Sequence, residues 1–184
     1  MPKKRSTKRD LQAAAGHVSY EIEMLIFAGS ELGGWHSSPM CPPEKAQANM
    51  ALESFLLHFR NLRDFLCPPK NWTDGDVFAS HFLGKDELLA AGNRKILGRD
   101  KVRLDKMLVH LSYTRKSFIA SGGHGWPVAR MSIDILDEIE KFLVSLAQLR
   151  PEMRSLFLSS EVISNRKFQA SLALDDSTQE GVEP

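Results

Sequence analysis

The chain has few cysteines, no large net charge and no long apolar run, and each of these features excludes a class of protein. Its 184 residues include only Cys41 and Cys67, and the formal net charge is +1. The two cysteines flank a predicted helix of roughly 25 residues, which holds them too far apart for a disulfide. No apolar run approaches the ~20 residues of a membrane span. We therefore expect a protein of the reducing cytoplasm that does not enter a membrane and has no global field attracting nucleic acid.

The charged residues are unevenly placed along the chain. Basic side chains crowd the first nine residues, whereas acidic side chains are frequent in the last ten. Neither stretch has enough apolar surface to pay for ordering. We predict a basic disordered tail at 1–9, a single helical-bundle domain at 10–170 and an acidic disordered tail at 171–184.

Apolar side chains recur every three or four residues in four stretches, which predicts four amphipathic helices. The first runs over 10–32, with Asp10 as its N-cap and a glycine pair as its stop. The second begins after Pro42-Pro43 and ends at 66, before another proline pair. The third runs over 99–118. The fourth follows Pro127 and is stopped by Pro151, which can itself start a last short helix.

These helices, with no persuasive alternating strand, predict an all-α fold, a four-helix up-and-down bundle. Its long connection lies between helices 2 and 3, at 67–98, and should hold one or two short helices. A connection of this length is often a lid or a binding loop, although it can also cap the end of a bundle.

The third helix carries the residues that most resemble a site. One face is apolar and begins with Leu104, whereas the opposite face is polar and contains Arg99, Arg103, Lys106, His110 and Tyr113. Arg103 and His110 are seven residues apart, two helical turns, so their side chains project in nearly the same direction. A guanidinium can hold a phosphate and an imidazole can move a proton near neutral pH. This pair suits phosphodiester cleavage without a metal.

An arginine followed by a histidine on the third helix of a four-helix bundle resembles the HEPN superfamily. The resemblance implies a metal-independent endoribonuclease or RNA-binding protein that acts as a homodimer and needs no cofactor. It carries Arg103 and His110 over as the motif residues and Glu53, on the second helix, as a supporting acid. Arg99, Lys106 and Tyr113 would then hold the RNA backbone, and DNA should resist cleavage because it lacks the 2′-hydroxyl.

Other interpretations of the same residues remain open. The polar face of the third helix fits a solvated or dimer-facing surface of a non-enzymatic interaction protein, such as an antitoxin-like or regulatory dimer with a protein partner. His17 and Glu21, with Glu53 and His58, lack the paired Glu-x-x-His motifs of di-metal bundles, so no metal is expected. Arg60 and Asp64 have the spacing of an ion pair on the second helix.

Overall fold

A computed structural model describes residues 7–33, 42–73, 75–84, 91–105, 126–157, 162–167 and 170. These residues are mostly helical and contain no strand, which confirms the all-α class. No helix within these ranges is both long enough and apolar enough to cross a membrane. The helices are α1 (Lys8–Gly33), α2 (Pro42–Leu66), α3 (Ala79–Phe82), α4 (Arg94–Leu97), α5 (Lys101–Leu104), α6 (Val128–Leu149) and α7 (Pro151–Arg154), and residues 162–167 are also helical.

The start of α1 differs from the prediction because a different residue caps it. The hydroxyl of Thr7 accepts a hydrogen bond from the Asp10 amide at 3.2 Å, and the Asp10 carboxylate accepts one from the Thr7 amide at 2.9 Å. This reciprocal pair is a capping box with Thr7 as the N-cap. Asp10 therefore lies in the first turn, and the predicted boundary at residue 9 falls inside the helix.

The bounds of α2 and α6 lie within two residues of those that the prolines predict, and α2 begins at Pro42 itself, not after Pro43. Proline supplies a helical φ and needs no amide partner in a first turn, so Pro42 can begin α2. After the end of α6, Arg150 has φ −146° and ψ 68°, outside the helical region, and Pro151 starts the next helix; a residue before proline is disfavoured in the helical region.

Helices α1 and α2 pack against each other in an antiparallel pair. Glu21, near the middle of α1, contacts His58 in the second half of α2, while Gly29 further along α1 lies against Phe55 earlier in α2. Leu25 and Phe59, on the inner sides of the two helices, are almost fully buried. Helix α6 contacts both of them and closes the core.

Aromatic rings fill the end of the core where α2, α3, α6 and the turn after α7 meet. The Phe142 ring lies 5.3 Å from Phe65, 6.3 Å from Phe82 and 5.6 Å from Phe157, each time edge to face. Such pairs add about 0.5–1.5 kcal/mol each beyond the area they bury. They attach α3, and with it the connection after α2, to the helices of the core.

The described parts of the predicted connection at 67–98 contain two short helices, α3 and α4, in agreement with the expected one or two. The segment 91–105, which includes the end of this connection, runs alongside α6 and is bound to it by three polar contacts. The Asn93 amide donates to Glu138 at 2.7 Å, Arg99 lies 3.4 Å from Asp134, and Arg130 reaches Asp100 at 2.7 Å. Two of these three contacts use carboxylates of α6. The segment from 91 to 105 is therefore fixed to the core at several points.

The predicted third helix starts later than expected. A turn covers Gly98–Asp100, and α5 begins at Lys101, two residues after the predicted start at Arg99. Leu104 is fully buried, which agrees with its assignment to the apolar face. The remainder of the prediction, 106–118, lies outside the described residues, as do most of the two predicted tails.

Candidate functional site

Arg103 is the best-defined of the predicted site residues. Its guanidinium carbon lies 3.8 Å from the centroid of the Trp126 ring, the distance of a cation–π stack. Burial lowers the pKa of Arg103, and the charge of Asp100 opposes that shift. A guanidinium nevertheless stays protonated at neutral pH. The stack therefore holds a permanent cation on α5 in one orientation.

The other predicted residues of this site are only partly described. Arg99 is half exposed and paired with Asp134 across to α6. Glu53 is exposed on α2, ten residues before Arg63, which reaches Asp105 next to the end of α5. Ten residues of helix span about 15 Å, so Glu53 is about that far along α2 from Arg63, the residue that contacts the end of α5. The remaining three candidates, His110, Lys106 and Tyr113, lie outside the described residues.

Two of the four residues considered for a metal site, Glu21 and His58, form a hydrogen-bonded pair. His58 is buried, and its Nδ1 lies 2.7 Å from an oxygen of Glu21, which also accepts a hydrogen bond from Asn61 at 3.0 Å. Among the described residues no group of three potential metal ligands comes together. The Tyr20 ring packs edge-on against His58 at 5.9 Å. The pair joins α1 to α2.

An ion cluster joins α2 to the end of α5. Asp105 accepts a hydrogen bond from Lys101 at 2.7 Å and lies 3.6 Å from Arg60 and 3.8 Å from Arg63. Burial acts to raise the pKa of Asp105, but the Lys101 hydrogen bond and the three cations outweigh it, so the pKa is lowered. The expected Arg60–Asp64 pair is not formed. Asp64 is bound by its neighbour Arg63, and Arg60 turns to Asp105 because α5 brings that carboxylate to it.

A pocket of about 390 Å³ lies beside this cluster, between the end of α2 and the α4–α5 segment. We call it the cationic pocket. It is lined by Arg63, Asp64, Cys67, Pro68, Pro69, Lys70, Asn71, Arg94, Leu97, Gly98 and Lys101. Four of these side chains are cations and one is a carboxylate, and no sequence motif predicted their convergence.

The cations of the pocket differ in how far they are already neutralised. Arg63 is buried and donates to Asp64 through Nε at 3.0 Å and Nη2 at 2.8 Å, whereas its Nη1 has no hydrogen-bond partner. Lys101 is paired with Asp105. Lys70 and Arg94 form no ion pair with any described carboxylate. Among the described residues, and with Asp105 counted as well, four cations face two carboxylates, which is an excess of positive charge.

The thiol of Cys67 forms part of the same wall. It donates a hydrogen bond to the Gly92 carbonyl at 3.3 Å. Burial raises the pKa of Cys67, although the nearby charge of Arg94 opposes the shift. The thiol is therefore protonated at neutral pH and poorly nucleophilic. It does not cancel the positive charge of the pocket.

The shape of the pocket depends on how the segment before α4 closes the end of α2. The Leu66 carbonyl accepts hydrogen bonds from the Ala91 amide at 2.8 Å and the Gly92 amide at 3.2 Å. Gly92 allows this approach, since a Cβ there would lie 3.0 Å from Leu66 Cβ and 3.1 Å from Leu97 Cδ1. One residue later, Glu138 binds the Asn93 amide and so fixes the start of α4.

Comparison of this chain with protein-family models, curated proteins and solved structures gave no match.

Proposed function

We propose that this protein is an RNA-binding homodimer with metal-independent endoribonuclease activity, centred on Arg103 and His110 and similar to HEPN proteins. The observation that carries the proposal is the stack of the Arg103 guanidinium on Trp126 at 3.8 Å. A guanidinium whose orientation is already fixed loses little entropy when it binds a phosphate. We further propose an up-and-down four-helix bundle, made of α1, α2, α6 and the predicted helix 99–118, in a cytoplasmic protein.

The proposed reaction uses the RNA's own 2′-hydroxyl as the nucleophile. Its oxygen attacks the adjacent phosphorus while a base takes its proton, and the bond from phosphorus to the 5′-oxygen breaks as that oxygen receives a proton. The products are a 2′,3′-cyclic phosphate and a 5′-hydroxyl. His110 is proposed for proton transfer and Arg103 for stabilising the charge that develops on the phosphoryl oxygens.

The outer face of the α1–α2 pair supports the homodimer. Tyr20 and Phe27 on α1, and Met50 and Leu57 on α2, each lie seven residues apart on the side opposite the buried stripe, with 46–69% of each residue exposed. Exposed large apolar side chains repeated along the outward side of a helix are typical of an association surface. Glu53 lies between Met50 and Leu57 on this face.

The same face favours the second candidate function, a non-enzymatic helical interaction protein. That function would need the apolar α1–α2 face but neither Arg103 nor His110. The two candidates therefore make opposite predictions for variants of the third helix.

The test is RNA cleavage by wild type, Arg103→Ala and His110→Ala in excess EDTA, with DNA of the same sequence as the substrate control. Lys95→Ala is the matched protein control, because it also removes one exposed cation. We expect wild type and Lys95→Ala to cut RNA only, and the other two variants to lose at least 100-fold in rate, in the range known for removal of a single catalytic group.

Equal behaviour of all four proteins, with circular dichroism showing each of them folded, would overturn the ribonuclease proposal.

Light scattering after gel filtration tests the dimer independently. Phe27→Ser combined with Met50→Ser should convert the dimer to a monomer, and a wild-type monomer would contradict that part of the proposal.

A further inference from the structure

We propose that the cationic pocket binds a phosphate monoester attached to a small organic group, such as a nucleoside 5′-monophosphate or the terminal phosphate of an RNA. Its walls come from the end of α2, the Pro68–Asn71 loop and the α4–α5 segment. The inference does not rest on the proposed ribonuclease activity and stands if that activity is absent.

The charges of the pocket match a dianion. Lys70 and Arg94 pair with no described carboxylate, whereas Lys101 forms an ion pair with Asp105. A phosphate monoester carries about −1.5 to −2 charges at neutral pH. Two cations that pair with no described carboxylate, placed in one concave site, attract such a group more strongly than a carboxylate ligand with a single charge.

Arg63 adds a buried donor group to the wall. Its side chain is 4% exposed and is held in place by two hydrogen bonds to Asp64. Its Nη1 has no hydrogen-bond partner, although a buried donor that is left unsatisfied is costly. This nitrogen is itself shielded from solvent, so a phosphate in the pocket can bond to it only after a small movement of the wall, and without that movement Arg63 acts on the phosphate through its charge alone.

The size and the apolar part of the pocket favour an organic phosphate over the inorganic ion. About 390 Å³ is in the range of small-molecule sites and exceeds what one phosphate fills. Pro68, Pro69 and Leu97 provide apolar wall beside the cations. These surfaces can pack against a ribose or a base while the cations hold the phosphate.

The cationic pocket is separate from the Arg103 site. Lys101 lines the pocket, and Arg103 stacks on Trp126. Two residues apart on a helix correspond to about 200° of rotation, so the two side chains leave α5 on opposite sides. A phosphate held by Lys101 and Arg94 is therefore a second contact and not the one proposed for cleavage.

Isothermal titration calorimetry of the full chain tests the proposal with adenosine 5′-monophosphate, inorganic phosphate and adenosine as probes. We expect saturable binding of the monophosphate, weaker binding of inorganic phosphate and none of adenosine. Arg94→Ala and Lys70→Ala should each weaken monophosphate binding about tenfold or more, as expected for loss of one charge-assisted contact. Lys95→Ala removes the neighbouring exposed cation outside the pocket and should change the affinity less than twofold.

Each outcome of this experiment decides the proposal. No heat of binding at millimolar monophosphate, or equal affinities for Lys70→Ala, Lys95→Ala and wild type, would overturn it. If Arg94→Ala loses its helical circular dichroism signal, Lys70→Ala decides, because Lys70 is exposed in a loop. Two RNA octamers, with a 5′-phosphate and with a 5′-hydroxyl, identify the source: tighter binding of the phosphorylated octamer assigns the pocket to RNA ends, and equal binding assigns it to free nucleotides.

Discussion

Replacing Glu138 with alanine should release the start of α4 from α6 and destabilise the protein by about 2–3 kcal/mol. The carboxylate is 4% exposed, and it accepts hydrogen bonds from the Asn93 amide at 2.7 Å and from Lys141 Nζ at 2.6 Å. A hydrogen bond to a charged group contributes about 1.5–3 kcal/mol. Lys141 is largely exposed, so its ion pair adds only about 0.2–1 kcal/mol. Most of the loss should therefore come from the Asn93 contact.

Urea denaturation of three variants separates the two contacts. Glu138→Gln keeps an acceptor for Asn93 and should lose about half as much free energy of unfolding as Glu138→Ala, because neutral hydrogen bonds are roughly half as strong. Lys141→Ala removes only the exposed partner and should cost less than about 1 kcal/mol. Equal losses for Glu138→Ala and Lys141→Ala, or a loss below about 0.5 kcal/mol for Glu138→Ala, would refute the claim that Glu138 acts by anchoring Asn93.

Two further predictions concern residues beside the cationic pocket. The pKa of Asp105 is lower in the folded state than in the unfolded state, so its stabilisation is present above the unfolded pKa and is lost as pH falls through the folded one. The stability difference between wild type and Asp105→Asn, about 1 kcal/mol at pH 7, should therefore shrink as the pH of the urea titrations falls below the ordinary range of an aspartate pKa, and a pH-independent difference would contradict this. Gly92→Ala should cost about 1–3 kcal/mol in the same assay through overpacking against Leu66 and Leu97, and an unchanged midpoint would show that α4 moves aside freely.

The sequence predicted the long helices well because local signals determine where each of them begins and ends. A proline lies at or next to the start of both α2 and α6 and two residues after the end of each, and Gly33 ends α1. The error at the start of α1, where Asp10 was predicted as the N-cap, arose because Thr7 and Asp10 both have capping side chains. Only the structure distinguishes the cap from the third residue of the capping box.

The cationic pocket could not be predicted because its residues are distant in the sequence. Arg63 belongs to α2, Arg94 to a four-residue helix in the long connection, and Lys101 to the start of the third helix. They converge because the Leu66 carbonyl accepts hydrogen bonds from the Ala91 and Gly92 amides, and because the Glu138 carboxylate accepts one from the Asn93 amide. None of these long-range contacts follows from periodicity or spacing. The Arg103–Trp126 stack is likewise a contact across 23 residues that no local pattern specifies.

The most direct test of the proposed function is mass spectrometry of the ends of an RNA incubated with the wild-type protein in EDTA. Attack by the 2′-hydroxyl predicts fragments that end in 2′,3′-cyclic phosphate and begin with a 5′-hydroxyl, and it predicts that His110→Ala leaves the RNA intact. Intact RNA with wild type, or fragments carrying 3′-hydroxyl ends, would contradict the proposed function.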